Sequence, residues 1–264
     1  MGKMKERLAA AVTAAKKAGV YLREEFTRAP LFAYTYKDSY NVVSGADIGA
    51  EKIILEILRA RFPRDIFFAE ERGWEEGDSA YTWIVDALDG TSNFTRKITH
   101  FCVSIALWEK GSPALGVVYQ PLTDELFVAQ HGKGAMLNKR VIRPQGEKLP
   151  ERAVLFLGRG GTKEDRRRHG RIFHALVGKV RSIRILGATA LDLCMVACGR
   201  ADGFVGNGIN FYDIAAAGLI AREAGAVMTT FKGTQWRLRI NEKSDVIATH
   251  QPLSKPFISL LKKL

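Results

Sequence analysis

Two segments near the start of the chain carry apolar side chains at every third or fourth position. This spacing predicts a long amphipathic helix over residues 4–28 and a second from Ala46 or Asp47 to Arg61, which Pro63 ends. The apolar positions of the first helix are Leu8, Ala11, Val12, Ala15, Val20, Leu22 and Phe26. Those expected to face inward on the second helix are Ile48, Ile53, Ile54, Ile57 and Leu58.

From residue 65 the helical spacing gives way to short apolar runs, which cover residues 65–69, 81–88, 102–108, 115–119 and 125–129. Turn residues at 111–113 (Gly-Ser-Pro) and 121–124 (Pro-Leu-Thr-Asp) separate the last three runs. Such closely spaced runs favour an antiparallel sheet.

Residues 144–147 (Pro-Gln-Gly-Glu) are the best candidate for a domain boundary. Beyond them, strand-type runs at 153–157, 182–186, 203–205, 227–230 and 246–248 alternate with helix-type runs at 163–177, 190–198, 213–224 and 255–264. This alternation predicts a layered α/β half. We therefore expect an α+β chain with N-terminal helices on an antiparallel sheet over residues 1–143 and a mixed α/β domain over residues 144–264.

Composition narrows the class of protein. Of the 264 residues, 47% are hydrophobic and 26% are charged, which is typical of a soluble globular protein. No apolar run reaches the roughly 18–20 residues that a membrane span needs. The first residues lack the apolar core of a signal peptide, so we expect a cytoplasmic location. Three cysteines do not form a disulfide framework.

The net charge of +12 is unevenly distributed. Between Lys133 and Arg181 there are 14 Lys and Arg residues against 4 Asp and Glu residues. Such a stretch raises the local concentration of phosphorylated or polyanionic partners. A solvated helix face has the same composition, and we prefer that interpretation.

Residues 83–94 (WIVDALDGTSNF) carry the strongest chemical signal. An apolar run ends in Asp86 and Asp89, and Gly90 and Thr91 follow at once. A strand that ends in this way can project two oxygen ligands from one turn, and oxygen ligands suit Mg²⁺. The backbone N–H groups of Gly90 and Thr91 are then free to meet an anion, especially if a helix starts there. The alternative is an ordinary strand-to-turn junction.

Acidic residues stand at four places where an apolar segment ends or a helix begins. They are Asp47, the pair Glu70 and Glu71, the pair Asp86 and Asp89, and Asp213. Each could simply be a helix cap or a strand end. If they converge, their mutual repulsion requires cations, and two or three divalent ions would fit, with Mg²⁺ preferred. Such ions activate a water molecule and neutralise a leaving oxygen.

The chain resembles the inositol monophosphatase family of Mg²⁺-dependent, lithium-sensitive phosphatases over essentially its whole length. Residues 83–94 match the family signature W-[IV]-[IV]-D-P-[IL]-D-G-T-x-N-F, except that Ala87 replaces proline. Residues 212–226 resemble the signature W-D-x-A-A-G-x-L-I-x-x-E-A-G-G, with departures at Tyr212, Ala217 and Ala226. Residues 184–190 and 199–202 resemble the family's G-[ST]-A-A and G-R-x-D segments. Several matches in the right order are more specific than one motif.

The resemblance implies a role for each matching residue. The metal ligands would be Glu70, Asp86, Asp89, Asp213 and the Leu88 carbonyl. Glu70 and Thr91 would orient the attacking water, and Asp47 would polarise the Thr91 hydroxyl. The residues that would contact the substrate are Asp89, Gly90, Thr91, Ala188, Thr189 and Asp213. No residue resembles a covalent nucleophile, so we expect direct attack by water.

The implied function is a Mg²⁺-dependent phosphomonoesterase acting on a small phosphate ester, with inositol 1-phosphate preferred, in a cytoplasmic homodimer without a membrane partner. Gly206 stands where animal inositol phosphatases carry a glutamate that bonds ring hydroxyls, so we expect an empty position there and relaxed selectivity. The alternatives on the same fold are fructose-1,6-bisphosphatase, histidinol-phosphatase and 3′(2′),5′-bisphosphate nucleotidase, and the basic 133–181 stretch is compatible with a doubly charged substrate. A protein that binds RNA or the transcription machinery is a less favoured alternative of another class.

Overall fold

The computed structural model describes residues 2–37 and 42–264. Its helices are α1 (Gly2–Arg28), α2 (Gly45–Arg61), α3 (Thr91–Thr95), α4 (Lys163–Leu176), α5 (Thr189–Ala197), α6 (Phe211–Ala224) and α7 (Gln251–Leu261), with a 3₁₀ turn at Pro150–Arg152. Its strands are β1 (Thr35–Tyr36), β2 (Val42–Val43), β3 (Ile66–Ala69), β4 (Gly73–Glu75), β5 (Tyr81–Asp89), β6 (Cys102–Glu109), β7 (Ser112–Gln120), β8 (Glu125–Gln130), β9 (Ala135–Leu137), β10 (Arg140–Val141), β11 (Val154–Arg159), β12 (Ser182–Arg184), β13 (Gly203–Ile209), β14 (Val227–Thr229) and β15 (Ser244–Thr249).

The strands form two large sheets and one small ribbon. The first sheet has the order β10-β9-β8-β7-β6-β5-β3-β4. Its neighbours are antiparallel except β3 and β5, which run parallel. The second sheet has the order β12-β11-β13-β15-β14, with β11 parallel to both of its neighbours and β15 antiparallel to both of its own. Strands β1 and β2 pair with each other in an antiparallel ribbon.

The layers follow from the alternation of side chains along each strand. In β5, Trp83 faces α1 and α2, whereas Ile84 faces α5 and α6. In β13, Phe204 faces the same α5 and α6 layer, whereas Val205 faces α4 and α7. The molecule is therefore a stack of helix pair, sheet, helix pair, sheet and helix pair. This layered arrangement confirms the fold class predicted from the sequence.

The helices α5 and α6 pack against both large sheets. Their buried residues share one core cluster with Phe68 and Ile84 of the first sheet and with Phe156 and Phe204 of the second. The predicted boundary at residues 144–147 does separate the strands of the two sheets. The division into two domains stays a prediction, because the central helices pack on both sheets.

Small residues explain where the helix predictions were wrong. Val20 and Ile48 were among the apolar positions of the first two helices, yet their side chains are 44% and 53% exposed. Alanines such as Ala14 and Ala50 are fully buried instead, so that α1 and α2 lie close to each other and to the first sheet. Among the described residues, no helix is long and apolar enough to cross a membrane.

Candidate active site

An extra residue in β5 brings the two motif aspartates to one face of the sheet. Asp86 pairs with Ser104 and Asp89 with Cys102, so three steps along β5 match two steps along β6. In a regular strand, residues three apart point to opposite faces, and a bulge of one residue restores them to the same face. The sequence motif thus works as a pair of carboxylates because the strand is bulged between them.

Gly90 turns the chain sharply after this strand. Its φ is +100°, in the left-handed region that favours glycine, and helix α3 begins at the next residue, Thr91. A side chain at this position would place its Cβ 3.0 Å from the His100 carbonyl oxygen. The glycine between Asp89 and Thr91 is therefore required by the turn.

A cleft of about 770 Å³ collects most of the predicted site residues. Those that line it are Glu70, Asp86, Leu88, Asp89, Gly90, Thr91, Thr189 and Asp213. They come from the end of β3, the end of β5 and the starts of α3, α5 and α6. Ala188 differs from them, since it is fully buried at the N-cap of α5. Its neighbours Gly187 and Thr189 line the cleft.

Asp47 lies behind the cleft and contacts it through Thr91. The Thr91 hydroxyl donates a hydrogen bond of 2.6 Å to Asp47 Oδ1 and lies 3.1 Å from the Leu88 carbonyl oxygen. Asp47 Oδ2 accepts hydrogen bonds from the backbone N–H and the hydroxyl of Ser44, at 2.8 and 2.6 Å. Burial raises the pKa of Asp47, although the bonds from Ser44 and Thr91 oppose this shift. The carboxylate is both the cap of α2 and the acceptor for Thr91.

Glu70 forms an ion pair with Lys37. Lys37 Nζ donates a hydrogen bond of 3.0 Å to Glu70 Oε1 and a second bond to Glu71 Oε1. Burial raises the pKa of Glu70 to about 7, and the Lys37 ammonium works against that shift. The same ion pairs raise the pKa of Lys37 despite its burial. One positive charge therefore already sits beside the predicted metal ligands.

The other carboxylates repel one another in a buried setting. Burial, and then the nearby carboxylates, raise the pKa of Asp86 and of Asp213 well above the ordinary range. Burial raises the pKa of Asp89 to about 7, although Ala190 N–H and Thr189 N–H donate to its two oxygens at 2.6 and 3.1 Å. Four carboxylates in one cleft favour a bound cation.

Oxygen-only donors of this kind fit a hard divalent cation such as Mg²⁺. Within the residues that the structure describes, no three acidic, histidine or cysteine side chains stand close enough together to hold a metal ion in the present arrangement. Glu70 is turned toward Lys37, and both oxygens of Asp89 are turned toward the start of α5. Metal binding would therefore require these side chains to turn into the cleft.

Sequence reasoning missed several residues that line the cleft, among them Lys37, Arg159, Arg166, Asn210 and Lys243. Asn210 Nδ2 donates to Asp213 Oδ2 at 3.3 Å. Arg166 lies within the basic run, but only its place on α4 shows that it faces the cleft. Nothing in the sequence around Lys243 sets that residue apart.

The expectation of an empty position at Gly206 was wrong. Gly206 lies in the middle of β13, paired with Gly158 and Val246. A Cβ there would lie 2.8 Å from Ile209 Cγ1 and 2.8 Å from Phe204 Cε1. The Phe204 ring fills the space over Gly158 and Gly206, so a longer side chain at residue 206 would require that ring to move.

Comparison with known proteins gives one family. Residues 3–263 match the model of the inositol monophosphatase family. The chain is 40% identical over 225 residues to Nus factor SuhB of Vibrio cholerae, covering 84% of each chain. It is 39% identical over 257 residues to inositol-1-monophosphatase of Mesorhizobium japonicum, covering 96% of this chain and 94% of that protein. The crystal structure of extragenic suppressor protein suhB from Bartonella henselae is similar to this chain, with a TM-score of 0.91 and 36% identity. The match covers 98% of this chain and 99% of that chain.

Proposed function

We propose that this chain, which belongs to the inositol monophosphatase family, is a Mg²⁺-dependent phosphomonoesterase that hydrolyses its substrate by direct attack of water. The observation that carries the proposal is the convergence of four carboxylates and the Thr91–Asp47 hydrogen bond on one cleft. The metal ligands would be Glu70, Asp86, Asp89, Asp213 and the Leu88 carbonyl. The bound ions would supply positive charge for the phosphate oxygens and lower the pKa of a bound water.

The turn after β5 would hold the phosphate. The backbone N–H groups of Gly90 and Thr91 belong to the part of this turn that lines the cleft, and they suit phosphate oxygens. Because Gly90 has no side chain, a phosphate can approach the backbone closely. The ester would thus be held with its phosphorus next to the Thr91 hydroxyl.

Thr91 and Glu70 would position the attacking water. The Thr91 hydroxyl gives its proton to the hydrogen bond with Asp47, so its lone pairs are free to accept a hydrogen bond from water. Glu70 would accept the second hydrogen of that water. Attack would form a bond from the water oxygen to phosphorus, and the bond from phosphorus to the ester oxygen would break. One proton of the water would stay on the phosphate, and the other would reach the leaving ester oxygen through Glu70 and solvent, so that the alcohol and inorganic phosphate leave.

Inositol 1-phosphate is the substrate that we propose first, because relatives of this chain bear the name inositol monophosphatase. Thr189, Asp89 and Asp213 line the cleft around the space that the alcohol would occupy. The bisphosphatases and histidinol-phosphatase named above are alternatives on the same scaffold. The Phe204 ring fills the space over Gly206, so this position is not empty and gives no reason to expect relaxed selectivity.

Phosphate release from inositol 1-phosphate tests the proposal. Purified protein should release phosphate in Mg²⁺ and lose this activity in EDTA, and added Mg²⁺ should restore it. The matched control is Asp202→Asn, which removes a buried carboxylate that accepts from Glu147 N–H and Val154 N–H away from the cleft. This control should lower stability and leave the Mg²⁺-dependent turnover of folded protein in place. Activity that is unaffected by EDTA would contradict the proposal.

A second candidate function is binding to the transcription machinery or to RNA. Four relatives that are 35–40% identical bear the name Nus factor SuhB, and the chain is strongly basic. Binding to RNA should weaken steeply as salt rises, and it should persist in a variant that lacks phosphatase activity. The expected homodimer and cytoplasmic location stay predictions.

A further inference from the structure

A second cavity, of about 350 Å³, lies along helix α6. Its walls come from the end of the β6–β7 hairpin, from α6 and from the segment between β14 and β15. Among the described residues, none lines both this cavity and the cleft that holds the carboxylates. Its volume lies at the lower end of the usual range for ligand sites, so it has room for a small organic molecule.

Two tryptophans form an aromatic wall of this cavity. Trp108 and Trp236 are buried, and both belong to the core cluster that lies between the two large sheets. A Cβ on Gly218 would lie 3.0 Å from Trp236 Cη2, so this ring rests directly on the backbone of α6. Core packing therefore holds both rings in place before any ligand binds. An aromatic ligand can stack against such rings without the cost of ordering them first.

Trp108 also carries a buried donor without an acceptor. Within residues 2–37 and 42–264, its indole Nε1 has no hydrogen-bond partner. The hairpin is irregular at this point, because Leu107 pairs with Leu115 whereas Trp108 pairs with Pro113, which leaves Ala114 as an extra residue. Buried indole N–H groups usually find an acceptor. Since Trp108 lines the cavity, a ligand there can supply the acceptor that the protein does not.

The exposed residues around the cavity are positively charged. Arg222 of α6 and Arg237 of the segment between β14 and β15 line it, and both side chains are exposed. In the part of the chain that the structure describes, neither guanidinium group forms an ion pair, and no acidic side chain lines the cavity. A guanidinium group binds a carboxylate through two parallel hydrogen bonds. The cavity therefore favours an anion at its opening and an aromatic ring inside.

We propose that this cavity binds a small planar aromatic carboxylate that carries a second hydrogen-bond acceptor. The ring packs on Trp108 and Trp236, the carboxylate meets Arg222 and Arg237, and the second acceptor receives the indole N–H of Trp108. This site does not depend on the proposed function, because it needs neither the metal nor the phosphate ester.

Three related compounds test the proposal by calorimetry, without Mg²⁺ or substrate. They are 6-hydroxy-2-naphthoate, its neutral analogue 6-hydroxy-2-naphthamide, and 2-naphthoate, which lacks the second acceptor. The hydroxynaphthoate should bind about tenfold more tightly than the amide, as one charged hydrogen bond provides. It should bind about fivefold more tightly than 2-naphthoate, as one neutral hydrogen bond provides.

Variants at the opening test the contact with the carboxylate. Arg222→Gln and Arg237→Gln should each reduce the preference for the hydroxynaphthoate over the amide by about tenfold. The matched control is Arg239→Gln, since Arg239 lies on the same segment, lies 3.6 Å from Glu242 in an ion pair and does not line the cavity. This control should keep the preference of the wild type.

Trp108→Phe tests the contact with the indole N–H. It keeps an aromatic ring and removes the unpaired donor, so the protein should fold, as thermal denaturation can show. The variant should bind the hydroxynaphthoate and 2-naphthoate with equal affinity. A preference for the hydroxynaphthoate that stays at about fivefold would show that Trp108 is not the donor and would contradict the proposed site.

Arg159→Gln tells this cavity from the cleft, because Arg159 lines the cleft alone. The affinity for the hydroxynaphthoate should stay at the value of the wild type in this variant. A weaker affinity would place the compound in the cleft and overturn the inference. Absence of saturable binding by the wild type, or a preference that neither Arg222→Gln nor Arg237→Gln changes, would overturn it as well.

Discussion

The two ends of the cleft are built in opposite ways. The acidic end places Asp86, Asp89 and Asp213 in a buried setting, where burial, and then repulsion from nearby carboxylates, raise their pKa values. The basic end is formed by Arg159, Arg166 and Lys243, which line the same cleft, and Lys243 donates a hydrogen bond of 2.9 Å to Asp165. Burying several unpaired carboxylates costs much more than keeping arginines near solvent. The acidic end therefore favours a bound cation more strongly than the basic end favours a bound anion.

The largest expected effect comes from removing two carboxylates of the acidic end together. In the double variant Asp86→Asn and Asp213→Asn, hydrolysis of inositol 1-phosphate should fall below detection, because two proposed metal ligands are lost. The melting temperature of the metal-free protein should hold or rise, since repulsion between buried carboxylates is relieved. Phosphate release and thermal denaturation in EDTA measure the two effects. Turnover close to that of the wild type in saturating Mg²⁺ would reject the ligand assignment.

A smaller loss is expected from Thr91→Val, which keeps the shape of the side chain and removes the hydroxyl. That hydroxyl donates a hydrogen bond of 2.6 Å to Asp47 and is proposed to position the attacking water. Without it, kcat should drop by roughly 10²–10⁴-fold while KM changes little. Thr91→Ser keeps the hydroxyl and should retain most of the activity. An increase in KM alone would show that Thr91 binds the substrate without positioning the water.

Lys37→Met tests whether a protein cation competes with the metal. The ammonium of Lys37 forms ion pairs with Glu70 and Glu71. These ion pairs must break before the metal binds, and a partly exposed ion pair contributes about 1 kcal/mol. Removal of Lys37 should therefore tighten Mg²⁺ binding by about fivefold. Lys243→Met removes a cation from the other end of the cleft and should leave the Mg²⁺ affinity unchanged. Calorimetric titration with Mg²⁺ measures both. An equal effect of the two variants would contradict direct competition between Lys37 and the metal.

The smallest expected effect is a pH dependence of the metal-free protein. The pKa values of Glu70 and Asp89 are raised to about 7 in the folded state, above those of an unfolded chain. Their protonated forms therefore stabilise the fold at low pH, and this contribution is lost as pH rises through about 7. The melting temperature in EDTA should decline by a few degrees between pH 5 and 8, and saturating Mg²⁺ should reduce the decline. A melting temperature that rises over this range would contradict the assignment.

Most of the acidic end could be predicted from the sequence because its residues stand in a short motif. Asp86, Asp89, Gly90 and Thr91 occupy one strand end and one turn, and the bulge that aligns the aspartates is local. Asp47 and Asp213 were found because helix starts are marked by sequence. The substrate contact of Ala188 stays a prediction, and its side chain is buried while its two neighbours line the cleft.

The basic end could not be predicted in the same way. Arg159 and Lys243 are far apart in sequence, and they line one cleft because the end of β11, the start of α4 and the start of β15 lie at the same end of the strands of the second sheet. The basic run suggested a charged partner without showing which of its side chains face the cleft. Long-range packing decides where these basic residues lie. The Gly206 expectation failed for a local reason instead, since the Phe204 ring that fills the space comes from two residues earlier on the same strand, and alternate residues of a strand share one face.

Crystals grown with Mn²⁺ give the most direct test of the proposed metal site. Anomalous scattering locates Mn²⁺, which takes the same oxygen ligands as Mg²⁺. The account predicts Mn²⁺ peaks among Glu70, Asp86, Asp89 and Asp213, with Lys37 displaced from Glu70. Absence of Mn²⁺ from the acidic end, with Lys37 still bonded to Glu70, would contradict it.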